Sequence, residues 1–363
     1  MHGGHTKIAK NAAIEAFKVK KTELTLFFLV SHLIVNQPPK KAIEVLNGIF
    51  KPPVSPALIP IRDLYYSSLQ AAEGYYLNAN RLLHKAKSAY QPGIYWQLNL
   101  VVDDFYFGAN EKKFLSKTFS VSKFKQNKNC PFIFSISCDR NYFELYGETF
   151  LRSFFINNPT ALVHIFFVHQ EQDAAPGNML DMWGHEERVV VTHFTCPSNV
   201  DYRPVSAVMR LLAIRSLLES AQLPVLFGEI DSVVVKPLHE IINRTIEIKA
   251  DHLVRTIGSY LPWQRNTCGF GIFMPTMAGI RAARLLEQYI LGLFNNNEKL
   301  FWADQCALEA CIRYSSLIDP TYSVYRPPTT DISAYFVTPT GGGGNSARKL
   351  NLINQEMKRR GYL

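Results

Sequence analysis

Between residues 224 and 239 an apolar run, Val225, Leu226 and Phe227, stops at two acids one residue apart, Glu229 and Asp231. It resumes at once as Val233, Val234 and Val235. Alternate residues of an extended chain point the same way, so both carboxylates fall on one side. Crowded carboxylates repel each other and raise each other's pKa, a cost that a bound divalent cation relieves. Most acid-x-acid pairs are solvated loops; aliphatic runs on both sides place this pair inside buried structure.

Four further segments carry residues that could serve the same site, and each has a plainer alternative. Cys138, Asp139 and Asn141 follow the apolar run 131–137, where Asp139 and Asn141 could hold a ligand or simply form an Asx turn. Arg210 stands in a helical stretch just before the acid pair and could face a phosphate or pair with a surface acid. Gly269 and Gly271 alternate within 266–273, where they permit close approach of a ligand or relieve crowding beside a bulge. Asp304 and Gln305 open a helical stretch, as pocket residues or as a cap.

The elements needed to position these groups can be read from periodicity. Short apolar runs at 131–137, 161–168, 188–194 and 224–228 alternate with helical patterns at 142–156 and 205–221. That alternation predicts an open, parallel α/β sheet whose ligands sit at the carboxyl ends of its strands. Before it, residues 1–110 read as a helical module, with helical spacing from Lys7 to about Lys87 broken by Pro38, Pro39, Pro52, Pro53, Pro56 and Pro60. Ala42, Ile43, Val45, Leu46 and Ile49 form one apolar stripe there; Leu64, Leu69, Ala72, Tyr76, Leu77, Ala79 and Leu82 form another. The pattern loosely resembles tetratricopeptide hairpins, without a clean period. Such a module serves to bind a protein, to mediate oligomerisation or to cap the main domain. The Lys-rich segment 111–130 reads as a basic linker, 131–335 as the α/β domain, and 336–363 as a Gly-rich segment and tail.

The net charge of +9 favours anionic partners such as phosphates, nucleotides or acidic membrane surfaces. The basic residues are not interleaved with aromatics in a recognisable nucleic-acid module, so no nucleic-acid partner is expected. Six cysteines without paired short spacings point away from a disulfide framework and towards a reducing compartment. The apolar run 24–35 is too short to span a bilayer, which takes roughly 20 residues, and residues 1–5 lack the features of a signal peptide. The chain is therefore expected in the cytoplasm, with peripheral association at the inner face of a membrane left open.

The order of the segments 132–326 resembles the GT-A glycosyltransferases, especially the glycogenin-like and lipopolysaccharide galactosyltransferase-like group. In that group an apolar strand ends in Asp-x-Asp, followed by aliphatics and Pro-Leu; Glu229 and Asp231 take the two acidic positions, with Lys236, Pro237 and Leu238 as the tail. Residues 209–214 resemble the Arg-bearing helix before that strand, and 137–142 the first-strand turn that holds the nucleotide. Residues 266–273 resemble the Asn-x-Gly segment, and Asp304 with Gln305 the Asp-Gln lining the sugar pocket.

The resemblance implies a GT-A type open, mostly parallel Rossmann-like sheet preceded by an all-α module. It implies hexosyl transfer, with retention, from a nucleoside diphosphate sugar, UDP-linked in that group, to a glycan, lipid or protein acceptor. It further implies Mn²⁺ or Mg²⁺ on Asp231 and Glu229, nucleotide contacts from Cys138, Asp139, Asn141, Arg210 and Glu229, and catalytic roles for Asp304 and Gln305. Two departures stand out: the first acid is Glu, and the group's late His-containing metal motif has no counterpart. Residues 338–349, with glycines at 341–344 and then Arg348 and Lys349, occupy its place. They read as a flexible stretch or as amides and cations that close over a diphosphate. The competing classes are a non-catalytic helical-repeat interaction protein with a degenerate transferase domain and a sugar nucleotidyltransferase. The latter would need a basic Gly-rich loop after Ser137, which is absent from the sequence.

Overall fold

The computed structural model describes residues 3–22, 38–50, 55–89, 129–170, 186–196, 202–256, 266–295, 303–339 and 346–363, with five further positions between 25 and 33. The expected basic linker falls almost wholly at 111–128, and the glycine run at 341–344; both lie outside the described residues.

The N-terminal part is helical, as its spacing predicts: α1 (Gly3–Val19), α2 (Pro39–Ile49), α3 (Ile59–Ala72) and α4 (Tyr76–Ala89). Pro39 opens α2 at its first turn, where a missing N–H costs nothing, and Ala42 and Leu46 are buried on its inner face. The second apolar stripe is corrected in part. A turn at 73–75, with Gly74 at φ +85°, resets the helical register, so Leu77 is exposed while Leu83 and Ala86 turn inwards. Leu26, Leu29, Val30 and Leu33 from the apolar run 24–35 are fully buried. Among the described residues no helix is long and apolar enough to cross a membrane.

The remaining chain forms the mixed α/β fold. In order it contains β1 (Ile133–Cys138), α5 (Arg140–Asn157), β2 (Leu162–Gln170), β3 (Val189–Cys196), α6 (Tyr202–Ala221), β4 (Val225–Gly228) and β5 (Val233–Val234). It continues with α7 (His239–Glu247), β6 (His252–Thr256), β7 (Asn266–Phe273), α8 (Met277–Asn295), α9 (Ala303–Ile318), β8 (Val324–Tyr325), α10 (Thr329–Ser333), β9 (Phe336–Val337) and α11 (Ser346–Arg359). The main sheet has the order β3-β2-β1-β4-β7-β6-β8. Its strands are parallel except β7, which runs against both β4 and β6. A second, two-stranded sheet pairs β5 with β9.

Two apolar clusters sandwich the sheet. One joins α6, α8 and α9 to buried residues of the N-terminal helices, among them Phe17, Leu46, Leu64 and Leu83, so the helical region and the α/β region share a continuous core. The other packs α5, α7 and α11 against the opposite face and is rich in phenylalanine. Residues 346–359, expected as part of a tail, form α11, and Ile353 and Met357 on it are buried.

Strand order reverses between β1 and β4, since the chain moves outward from β1 through β2 to β3 and then returns to β4 on the other side of β1. Helices leaving the carboxyl ends on opposite sides of such a point leave a crevice between them, the usual ligand position in an open α/β sheet. Asp139 follows β1 and Glu229 follows β4, so both border it.

Candidate functional site

The carboxyl end of β4 is shaped by close packing. A Cβ on Gly228 would lie 2.6 Å from Phe134 Cζ, and one on Gly271 2.3 Å from Phe227 Cζ and 2.9 Å from the Leu253 carbonyl. Gly271 therefore relieves crowding, the plainer of its two expected roles. At Gly269 a Cβ would stand 3.7 Å from Arg255 Nη1 and 4.0 Å from Glu229 Oε2. This glycine forms a bare floor between a guanidinium and the first acid of the pair.

Asp231 is buried and Glu229 partly so. Burial, and then the neighbouring Asp231 charge, push the Glu229 carboxyl above its ordinary value, while Arg210 and Lys349 pull it down and Asp304 raises it. Those influences bring together five charged residues from β4 and its following turn, α6, α9 and α11. Arg210 is held in α6, which is tied to β1 by the Ser135 hydroxyl donating to the Arg210 carbonyl (3.3 Å) and by Ser137 donating to the Ser206 carbonyl. Its Nη2 donates to the Cys268 carbonyl (3.2 Å) and to Asp304 Oδ2 (3.4 Å). Arg210 thus pairs with another residue of the site, not with a surface acid.

Asp304 sits in the first turn of α9, where a negative charge is favoured by the helix dipole. Its Oδ1 accepts the Gln305 backbone N–H at 2.9 Å, so one oxygen faces the helix start and the other faces Arg210. The Gln305 Oε1 is buried with no hydrogen-bond partner among the described residues. An orphaned buried acceptor is costly unless a ligand or water satisfies it.

Lys349 is the residue that the sequence argument left out of the acid site. Its Nζ donates to Asp231 Oδ2, and Asp231 and Glu229 hold the ammonium's pKa above the ordinary value against the effect of burial. Thr338, on the other flank of the glycine run, shares a 2.7 Å hydrogen bond with Ser232. One sequence signal was available: Lys349, Ile353 and Met357 recur at four-residue intervals on one helix face, a lysine in series with two core residues.

The nucleotide-side expectations divide. Asp139 is the N-cap of α5, accepting the Tyr142 N–H at 2.8 Å; this realises the Asx alternative and occupies one of its oxygens. Asn141 is exposed beside it. The Cys138 side chain is buried in the phenylalanine-rich core and its thiol pKa is pushed up by that burial, so the side chain is withdrawn from any ligand. Tyr142 is 43% exposed and near enough to Asp231 and Lys349 for both charges to act on its hydroxyl, which places an aromatic ring at the mouth of the crevice. Lys236 lies over the Tyr335 ring instead.

The donor set expected for the divalent ion is shared with a cation of the protein itself. Among the described residues no group of three or more His, Cys, Asp or Glu converges, and the better-placed carboxylate, Asp231, already carries an ammonium. An added ion there would face a cation across a single carboxylate.

In shape the chain is similar to glycosyltransferases. The apo form of the glycosyltransferase GlyE from Streptococcus pneumoniae TIGR4 superposes with a TM-score of 0.37 at 11% identity, covering 64% of each chain. A further crystal structure of GlyE gives the same values. The apo bifunctional glycosyltransferase WbbM superposes at 0.37 with 12% identity over 81% of this chain and 58% of its own. The chain thus spans less than two thirds of the length of either protein. No family model and no curated protein matches the sequence. These likenesses are distant, and what the site can do is set by the residues at the switch point.

Proposed function

We propose that the chain transfers a sugar from a nucleoside diphosphate sugar to an acceptor hydroxyl, with the donor in the crevice between β1 and β4. The single observation that carries this reading is the gathering of Glu229, Asp231, Arg210, Asp304 and Lys349 at the strand-order reversal, from positions spread over 140 residues of chain. Both signs of charge meet there. In the reaction the anomeric carbon–oxygen bond breaks, its electron pair leaves on the diphosphate, and a new bond forms to the acceptor oxygen, whose proton is lost. Negative charge grows on the leaving group while the anomeric carbon becomes cationic, so cations are needed at one end and carboxylates at the other. Lys349 and Arg210 are among the cations this chain offers there; Asp304 and the orphaned Gln305 acceptor are suited to donor hydroxyls and to the cationic carbon. Uridine as the base and a hexose as the sugar are expectations carried by the family resemblance.

A panel of nucleoside diphosphate sugars tests the reading by thermal shift and by mass spectrometry of transfer or hydrolysis products. At least one should raise the melting midpoint, since a ligand of the folded state stabilises by mass action, and should be consumed. Asp231→Asn should abolish consumption while leaving the circular dichroism spectrum intact. No shift and no turnover with any member of the panel would sink the proposal.

A further inference from the structure

The acid pair at the end of β4 holds a side chain of the protein where a divalent ion was expected. We propose that the Lys349 ammonium replaces that ion and, with Arg255, binds the donor's diphosphate, so that nucleotide binding requires no metal; this rests on the donor-site reading above.

Three observations carry the inference. First, Lys349 is placed by the fold. Ile353 and Met357, one and two turns further along α11, are 1% and 0% exposed, and residues at four-residue spacing share a helix face. The packing that anchors α11 therefore aims Lys349 at Asp231. Tyr362, just beyond the helix, adds a second anchor through its hydroxyl, which receives a 2.8 Å hydrogen bond from Asn157 Nδ2 on α5.

Second, the ammonium keeps capacity for a ligand. It has three N–H donors, and its partner among the described residues is Asp231. Its side chain retains 19% exposure, so it is neither sealed in the core nor loose on the surface. Third, a second cation flanks the same floor. Arg255 Nη1 and Glu229 Oε2 both approach the bare face of Gly269, and Arg255 Nε is buried with no hydrogen-bond partner among the described residues. A diphosphate has oxygens enough to satisfy both cations, and charge-assisted bonds to phosphate are among the stronger ones available. In this arrangement Asp231 positions the lysine, a role that asks for one carboxylate.

The test is calorimetric titration of the full chain with UDP and with GDP, each in EDTA and in Mn²⁺, using wild type, Lys349→Met and Lys349→Arg. Wild type should bind one of the nucleotides in EDTA, with affinity little changed by Mn²⁺. Lys349→Met should lose about 10-fold or more in EDTA, as expected for one charge-assisted hydrogen bond, and regain part of it in Mn²⁺ because the freed carboxylates can then take the ion. Lys349→Arg should retain most of the EDTA affinity. Wild-type binding that requires Mn²⁺, or Lys349→Met binding in EDTA as tightly as wild type, would overturn the lysine proposal and leave the donor site standing. Absence of nucleotide binding in both media would overturn the two together. Should Lys349→Met fail to fold, wild type and Lys349→Arg in EDTA still decide.

Discussion

Replacing Asp304 by asparagine removes one charge from the site while keeping its shape and an acceptor oxygen. Asp304 Oδ2 lies 3.4 Å from Arg210 Nη2, with side chains 13% and 5% exposed. At that separation and an effective dielectric of about 20 the gross attraction is about 5 kcal/mol. Desolvation of both ions offsets much of it, but the single asparagine oxygen can accept from Arg210 or from the Gln305 N–H and not from both, so the net destabilisation should be about 2 kcal/mol, the scale of one hydrogen bond to a charged group. Loss of the carboxylate proposed to face the reacting carbon should act separately, lowering turnover by about 10² or more. The mutant also reports on Glu229: Asp304 raises that carboxyl's pKa, so its removal should lessen the loss of stability that Glu229 brings as pH rises. Denaturant unfolding across pH, turnover and nucleotide affinity are the three measurements. Turnover near wild type, or a complete loss of nucleotide binding with the fold intact, would refute the placement of Asp304 at the sugar end.

Three further outcomes are expected. Gly271→Ala should destabilise by about 1–3 kcal/mol through overpacking, because its Cβ would meet both the Phe227 ring and the fixed Leu253 carbonyl; unchanged unfolding would show that β7 relaxes freely. Glu309→Gln should cost about 3–5 kcal/mol, since Arg313 is fully buried, bonds Glu309 through Nε at 2.7 Å, and has no hydrogen-bond partner for Nη1 or Nη2 among the described residues. A loss too small to measure would mean that other groups satisfy the guanidinium. Glu229, with a folded-state pKa above its ordinary 4.5, binds its proton more tightly folded than unfolded. Stability should therefore fall as pH rises from about 4.5 through the raised value, and Glu229→Gln should remove that loss and be the more stable protein at neutral pH. Urea midpoints across pH 4–8 that coincide for the two proteins would contradict this.

The sequence alone determined four strands of the main sheet, the helices between them and the position of the acid pair, because these depend on local hydrophobic period and on where an apolar run stops. Residues 133–138, 162–170, 189–196 and 225–228 are strands much as the spacing predicts. The site itself is a matter of tertiary structure. Lys349 reaches Asp231 across 118 positions of sequence and Asp304 reaches Arg210 across 94, and no local pattern encodes a pairing between such distant residues. Each depends on a helix being docked by its other face: α11 by Ile353 and Met357, α9 by Ala307 and Cys311. The same packing withdraws the Cys138 thiol, because every residue of β1 is buried and strand alternation sends that side chain into the phenylalanine-rich layer. A residue's chemistry is readable from its type, but which charge it meets depends on how the layers stack, and stacking is set by the sum of many apolar contacts and by no single motif.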